Sequence, residues 1–159
     1  MTKRIYVAGP MTGIPHFNFP AFDAATERLR AQGWRVVNPA GIDRAMGFDP
    51  LALPADTDWN NPAALGLYQR DIVRRCCAAL IECDAIYMLE GWIKSEGASA
   101  ELKLARWAGL DEIYQRSPVE EAMEVIAKNT QALQAAVMIG LERKSHSQKE
   151  TSNARNLGS

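Results

Sequence analysis

The chain has 159 residues, 47% of them apolar and 23% charged, with a formal net charge of −1 at pH 7. That make-up fits one globular domain large enough to bury a core, and it lacks the basic surplus that nucleic acid polymers or anionic membranes attract. No apolar run approaches the roughly 20 residues of a membrane span. The opening residues hold no signal-like apolar segment. Cys76, Cys77 and Cys83 are too few and too clustered for a disulfide framework, and read as small buried side chains. The expected setting is a reducing cytoplasm.

Taken in chain order, Lys3 to Ala8 reads as a first strand ended abruptly by Gly9-Pro10-Met11-Thr12-Gly13. A helix follows over Ala21 to Gln32, its stripe set by Phe22, Ala25 and Leu29, with Gly33 as C-cap. Trp34 to Val37 is a second strand, stopped at Asn38-Pro39. Asn38 to Pro62 then runs as a long loop, rich in proline and aspartate but tipped with Met46, Phe48, Leu53 and Trp59. Loops of this length in small domains are usually functional, and this one reads as a flap over the carboxyl edge of the sheet, with a helical turn near Ile42 to Met46.

A helix is expected over Pro62 to Leu80, then a strand over Ala85 to Leu89, a Gly- and Ser-containing turn, and a helix from Ala98 to Ala108 capped by Gly109. Asp111 to Gln115 is a short fourth strand. Ser117, Pro118 and Glu120 make a helix start, with Ser as N-cap, Pro at the first position and Glu at the third. That helix should run to about Leu141. Glu142 to Ser159 is polar and without an apolar stripe, so residues 1–141 are read as the domain and 142–159 as a disordered tail.

Alternation of this kind predicts an α/β fold: a Rossmann-like, doubly wound parallel sheet of four to five strands with helices on both faces. Ligands in such folds bind beyond the carboxyl ends of the strands. Three turns meet there, at Gly9 to Gly13, Asn38-Pro39 and Gly91 to Gly97. The turn through Ser95 and Gly97 also presents unpaired amides at the start of a helix, an arrangement suited to an anion.

One turn into that helix, Glu101 shares a stripe with Ala98, Leu102 and Ala105, which should face the sheet. An exposed helix glutamate is the bland reading; a carboxylate at the mouth of a crevice is the other. Asp71 lies at the margin of its helix's apolar stripe, and on spacing alone an ion pair with Arg74 or Arg75 is preferred. Tyr6 reads as a half-buried strand aromatic, Ser95 as a cap and Asp84 as a strand-start aspartate. There is no metal-ligand spacing, no Walker motif and no dinucleotide fingerprint, so neither a metal nor a cofactor is expected.

The same residues carry a resemblance. Ile5-Tyr6-Val7-Ala8-Gly9-Pro10, Asp71 in the helix before Cys83-Asp84-Ala85, and Ser95-x-Gly97-Ala98-x-x-Glu101 resemble the nucleoside 2-deoxyribosyltransferase superfamily, which includes deoxynucleoside monophosphate N-glycosidases. More narrowly, Tyr-Val-Ala-Gly-Pro-Met-Thr-Gly, Phe-Asn-Phe-Pro-Ala-Phe and Gly-Trp-x-x-Ser-x-Gly-Ala are similar to a phage and prophage branch of unassigned function. The similarity spans about residues 3 to 115.

The resemblance implies a nucleoside or nucleotide as small-molecule partner. Glu101 would be the nucleophile at C1′ of a deoxyribosyl group, Asp71 the acid that protonates the departing base, and Tyr6 the group that orients Glu101. Gly9, Ser95 and Gly97 would hold the 5′ end of the substrate, with Pro10 and Asp84 also among the substrate-binding residues. Trp59 or Phe48 on the flap is added here as a surface on which the base could stack. Homo-oligomerisation through helices such as Glu120 to Leu141 is expected. Two other readings stay open: a nucleotide-binding module without turnover, and a phage interaction protein that binds no nucleotide.

Overall fold

The computed structural model describes residues 2–54 and 56–156, with side chains through residue 139. Its sheet has four parallel strands, β1 (Arg4–Ala8), β2 (Arg35–Val37), β3 (Ala85–Met88) and β4 (Asp111–Tyr114), in the order β2-β1-β3-β4. The two central strands are apolar along nearly their whole length because both their faces are covered. Side chains alternate between faces, so Ile5, Val7, Ala85 and Tyr87 join one core while Tyr6, Ala8, Ile86 and Met88 join the other. The fold is the doubly wound α/β arrangement expected from the alternation of elements.

The first core is closed by α1 (Phe19–Ala31), which buries Phe19, Phe22, Ala25 and Leu29. The second is closed by α3 (Gln69–Ile81) and α4 (Glu96–Ala108) through Leu80, Ala98, Leu102 and Ala105. Alanines at 98 and 105 keep α4 close to the strands. The chain moves from β1 outward to β2, then crosses back over the opposite face to β3. This reversal puts the topological switch point, where such folds open a crevice, between the carboxyl ends of β1 and β3.

Those two strand ends approach closely. The Leu89 amide donates to the Ala8 carbonyl at 2.8 Å, and a Cβ built on Gly9 would lie 2.7 Å from Leu89 Cβ. Beyond Gly9 the loop is held in an unusual shape, with His16, Phe17 and Asn18 all at positive φ near 50–60°. Such residues cost of order 1–3 kcal/mol each unless packing compensates. Here Phe17 is buried and the Asn18 side-chain amide donates to the Pro10 carbonyl at 2.9 Å.

The segment after β2 is ordered. Asn38 caps α2 (Pro39–Ala45) by accepting from the Ala40 amide. Arg44 pairs with Asp23 of α1 at 2.8 Å and Asp43 with Arg75 of α3 at 3.2 Å, so α2 ties together helices from the two faces. Farther on, Trp59 packs on His16 and Phe17, and its carbonyl accepts from the Gly13 amide.

Two expectations need correction. The helix expected over 62–80 is a 3₁₀ turn at Pro62–Leu65 followed by α3, because Gly66 adopts a left-handed φ of 78° and ends the turn. Tyr68 is consequently exposed, outside any apolar stripe. The helix expected to stop near Leu141, α5 (Pro118–Asn156), continues through most of the segment read as a disordered tail. No proline lies beyond Pro118 and no glycine between 141 and 156, so nothing local breaks it. The α5 start is a reciprocal capping box: the Glu120 amide donates to Ser117 Oγ and the Ser117 amide to the Glu120 carboxylate. Residues 1–121 and 122–159 are separate compact units.

Gly9→Ala tests the approach of β1 and β3. The added methyl must displace Leu89, and overpacking of this kind costs about 1–3 kcal/mol. Urea denaturation should therefore show a lower midpoint at unchanged slope.

Candidate functional site

Tyr6 sits in the interior of β1 and points to the face covered by α3 and α4. Its ring is fully buried, and its hydroxyl donates to Glu101 Oε1 at 2.7 Å. Glu101 occupies the second turn of α4, flanked by buried Ala98, Leu102 and Ala105, and is itself half-buried. Its helical position follows from Ser95, whose hydroxyl accepts from the Ala98 amide and whose carbonyl accepts from the Ser99 amide. With the cap at Ser95, the second-turn residue 101 is on the sheet-facing stripe.

Burial raises the Glu101 carboxyl to about 7, the Tyr6 hydroxyl offsetting only part of the effect. Tyr6 is in turn held well above its ordinary value, first by burial and then by the Glu101 charge, so it stays a proton donor. One carboxylate oxygen is thereby fixed by a neutral phenol. The carboxyl sits in a setting where the group changes charge near neutral pH.

The Cys76 thiol, on α3, lies against the same phenol. Burial pushes it up to about 11, and its bond to Tyr6 acts in the opposite direction. Cys77 is raised by burial and by the Glu101 charge. The next residue back, Arg75, is the one that pairs with buried Asp43 on α2. A thiol, a phenol and a carboxyl thus meet between α3, β1 and α4, with a part-buried ion pair to α2 beside them. The sequence marked Cys76 as a small buried side chain, but which strand residue it would meet depends on long-range packing. Asp43 carried no such signal.

Other expected residues divide sharply. Gly9 and Pro10 lie on the loop after β1, while Ser95 is the N-cap of α4 and Gly97 is in its first turn; Pro10 also contacts Gly91 closely enough that a Cβ there would be 3.4 Å from the proline ring. Gly91, at a φ of 83°, donates its amide to Glu121 Oε1 at 2.9 Å. Glu121 is only 4% exposed and was missed from sequence, since a glutamate in the first turn of a helix reads as a dipole partner. Asp71 lies in the first turn of α3 and is exposed. Helices here run antiparallel to the strands, so that end of α3 is on the carboxyl side of the sheet. Asp71 stands about 7.5 Å along the helix from Cys76, toward the crevice mouth, and does not itself meet Glu101.

Two assignments are overturned. Asp84 is not at the crevice: its carboxylate accepts from the Arg4 amide at 2.7 Å and its own amide donates to the Arg4 carbonyl. It pins the amino ends of β1 and β3, roughly 13 Å of strand away from the carboxyl ends. Trp59 is no open stacking surface, because it is 9% exposed and wedged among aromatic rings of the first core. An indole in a proline-rich loop looked free only because its packing partners are some 40 residues upstream in sequence.

The raised Glu101 value fixes the sign of a pH effect. A carboxyl that holds its proton more tightly when folded contributes stability in full below its ordinary value of 4.5, and loses it as pH rises through about 7. That displacement corresponds to roughly 3 kcal/mol. Glu101→Gln should remove the loss, so the variant should gain stability relative to the parent, by up to that amount, between about pH 4.5 and pH 8. Urea midpoints across this range measure it; a constant difference would mean that the carboxylate is well solvated.

Among the described residues, no group of three or more His, Cys, Asp or Glu side chains is arranged to hold a metal ion, and no helix is long and apolar enough to cross a membrane. No curated protein and no solved structure matches the chain. A family model does match, over residues 3–114, the span that contains the sheet, Tyr6 and Glu101. The chain belongs to the family described as a domain of unknown function, DUF4406.

Proposed function

We propose that the chain cleaves the N-glycosidic bond of a deoxynucleoside or its 5′-monophosphate, as a member of the wider group of nucleoside 2-deoxyribosyltransferases and N-glycosidases. One observation carries this reading: a half-buried carboxyl, Glu101, held at one oxygen by the Tyr6 hydroxyl on the sheet-facing side of α4. That is how a carboxylate nucleophile is prepared for a sugar, oriented and partly desolvated so that it need not reorganise.

In the proposed reaction the free Glu101 oxygen attacks C1′ from the face opposite the base. The C1′–N bond breaks as the C1′–O bond forms, and the bonding pair leaves with the base nitrogen. That nitrogen takes a proton from Asp71, whose place toward the crevice mouth suits a group reaching the base and not the sugar. A base departs poorly without such a proton. Water, or the nitrogen of a second base, then attacks C1′ and releases the carboxylate. Hydrolysis and transfer differ only in this acceptor. The loops through Gly9, Pro10, Ser95 and Gly97 would receive the 5′ end, a phosphate gaining from the first amides of α4. None of these steps calls for a metal or an organic cofactor.

A second reading, a nucleotide-binding module without turnover, is favoured by one feature. Asp71 is exposed, and among the described residues no hydrogen bond holds its carboxylate for proton transfer.

Incubation with a panel of deoxynucleosides and their monophosphates should release free base. Glu101→Gln and Glu101→Ala should fold but lose at least about 10³-fold in rate. kcat/KM should rise with pH through about 7, as Glu101 ionises in the free enzyme. Tyr6→Phe should shift that limb to higher pH, since the hydroxyl favours the ionised carboxylate. If no substrate yields base while nucleotides raise the thermal midpoint of both parent and Glu101→Gln, the binding module is the correct reading.

A further inference from the structure

The helix α5 carries an apolar seam that the catalytic reading does not use. Val119, Met123, Ile126, Thr130, Leu133 and Val137 follow one another in alternating steps of four and three, and every apolar member is more than half exposed. That spacing averages 3.5 residues, the repeat with which helices pair side by side; a helix covering a globular core follows 3.6. The one polar member does not spoil the seam: Thr130 Oγ1 donates to the Ile126 carbonyl at 2.9 Å and so is satisfied within its own helix. Residues flanking the seam from 122 onward are small or neutral (Ala122, Ala127, Asn129, Gln134, Ala136), so nothing charged opposes close approach. Near its far end Leu133, Val137 and Met138 lie side by side on the helix surface, all more than half exposed.

We propose that this seam pairs with the same seam of a second copy of the chain, forming a two-helix coiled coil. The area is adequate for a dimer. With roughly 100 Å² still open on each apolar seam residue and somewhat less on the flanking alanines, two copies would bury roughly 1,200–1,400 Å², at the lower end of specific interfaces. Self-pairing is the economical occupant because an uncharged seam carries no pattern to select a partner of opposite charge, and because every copy brings the complementary surface. The proposal is independent of the chemistry at Glu101.

Light scattering after gel filtration should give twice the chain mass of 17.5 kDa for the parent at tens of micromolar. The double substitution Ile126→Glu, Leu133→Glu should give the single-chain mass, and Gln131→Glu, off the seam, should keep the double mass. The thermal midpoint of the parent should rise with protein concentration, a measurement that needs no variant. A parent of single-chain mass with a concentration-independent midpoint would overturn the proposal, as would a seam variant that keeps the double mass. A seam variant that loses thermal stability at unchanged single-chain mass would do so too, by showing that the seam folds onto its own chain.

Discussion

A single hydrogen bond, from the Tyr6 hydroxyl to Glu101, joins the central strand to the helix that crosses it, and much of the local architecture serves it. Removing a carboxyl from water is costly unless it is paired or protonated. Glu101 is given one phenolic donor and no cation, which is too little to keep it ionised at its ordinary value. It is left balanced near neutrality. A lysine or arginine in place of Tyr6 would have produced a stable structural ion pair, and a leucine would have pushed the acid to solvent. A phenol does neither, so the carboxyl keeps the means of changing charge near neutral pH.

The surroundings hold that balance in place. Ser95 sets the phase of α4, and the alanines at 98 and 105 let the helix sit low enough for Glu101 to meet a strand side chain. Cys76 fills the remaining side of the phenol without offering a charge. Asp43 and Arg75 clamp α2 to α3 just behind it. On the loop side, Gly9 permits contact with Leu89, and the buried carboxylate of Glu121 holds the amide of Gly91. The root of α5 is thus fastened to the loop that opens the crevice.

The flap illustrates how packing reassigns residues. Its aromatic side chains have the composition of a lid, yet Phe48 and Trp59 are spent on rings of the β1–α1 loop, with Phe17 forced into a left-handed conformation to meet them. Three consecutive residues at positive φ are a sizeable local strain. The aromatic cluster compensates for it and fixes the loop that follows Gly9. The segment acts as a brace for that loop.

Local chemistry determined a good deal by itself. Apolar strands at 4–8 and 85–88, the Ser95 and Ser117 caps, the Gly109 stop and the sheet-facing stripe of Glu101 are all written in short-range periodicity and cap residues, because each depends on neighbours within a few positions. The break at Gly66 was equally local and was overlooked within a run of good helix formers. Tertiary structure alone decided which groups meet: Tyr6 with Glu101 across 95 positions, Asp43 with Arg75 across 32, Trp59 with Phe17, and Asp84 with the far end of the sheet. Those contacts are set by strand order and helix placement, which emerge only when all the apolar faces are buried together, and no spacing along the chain encodes them.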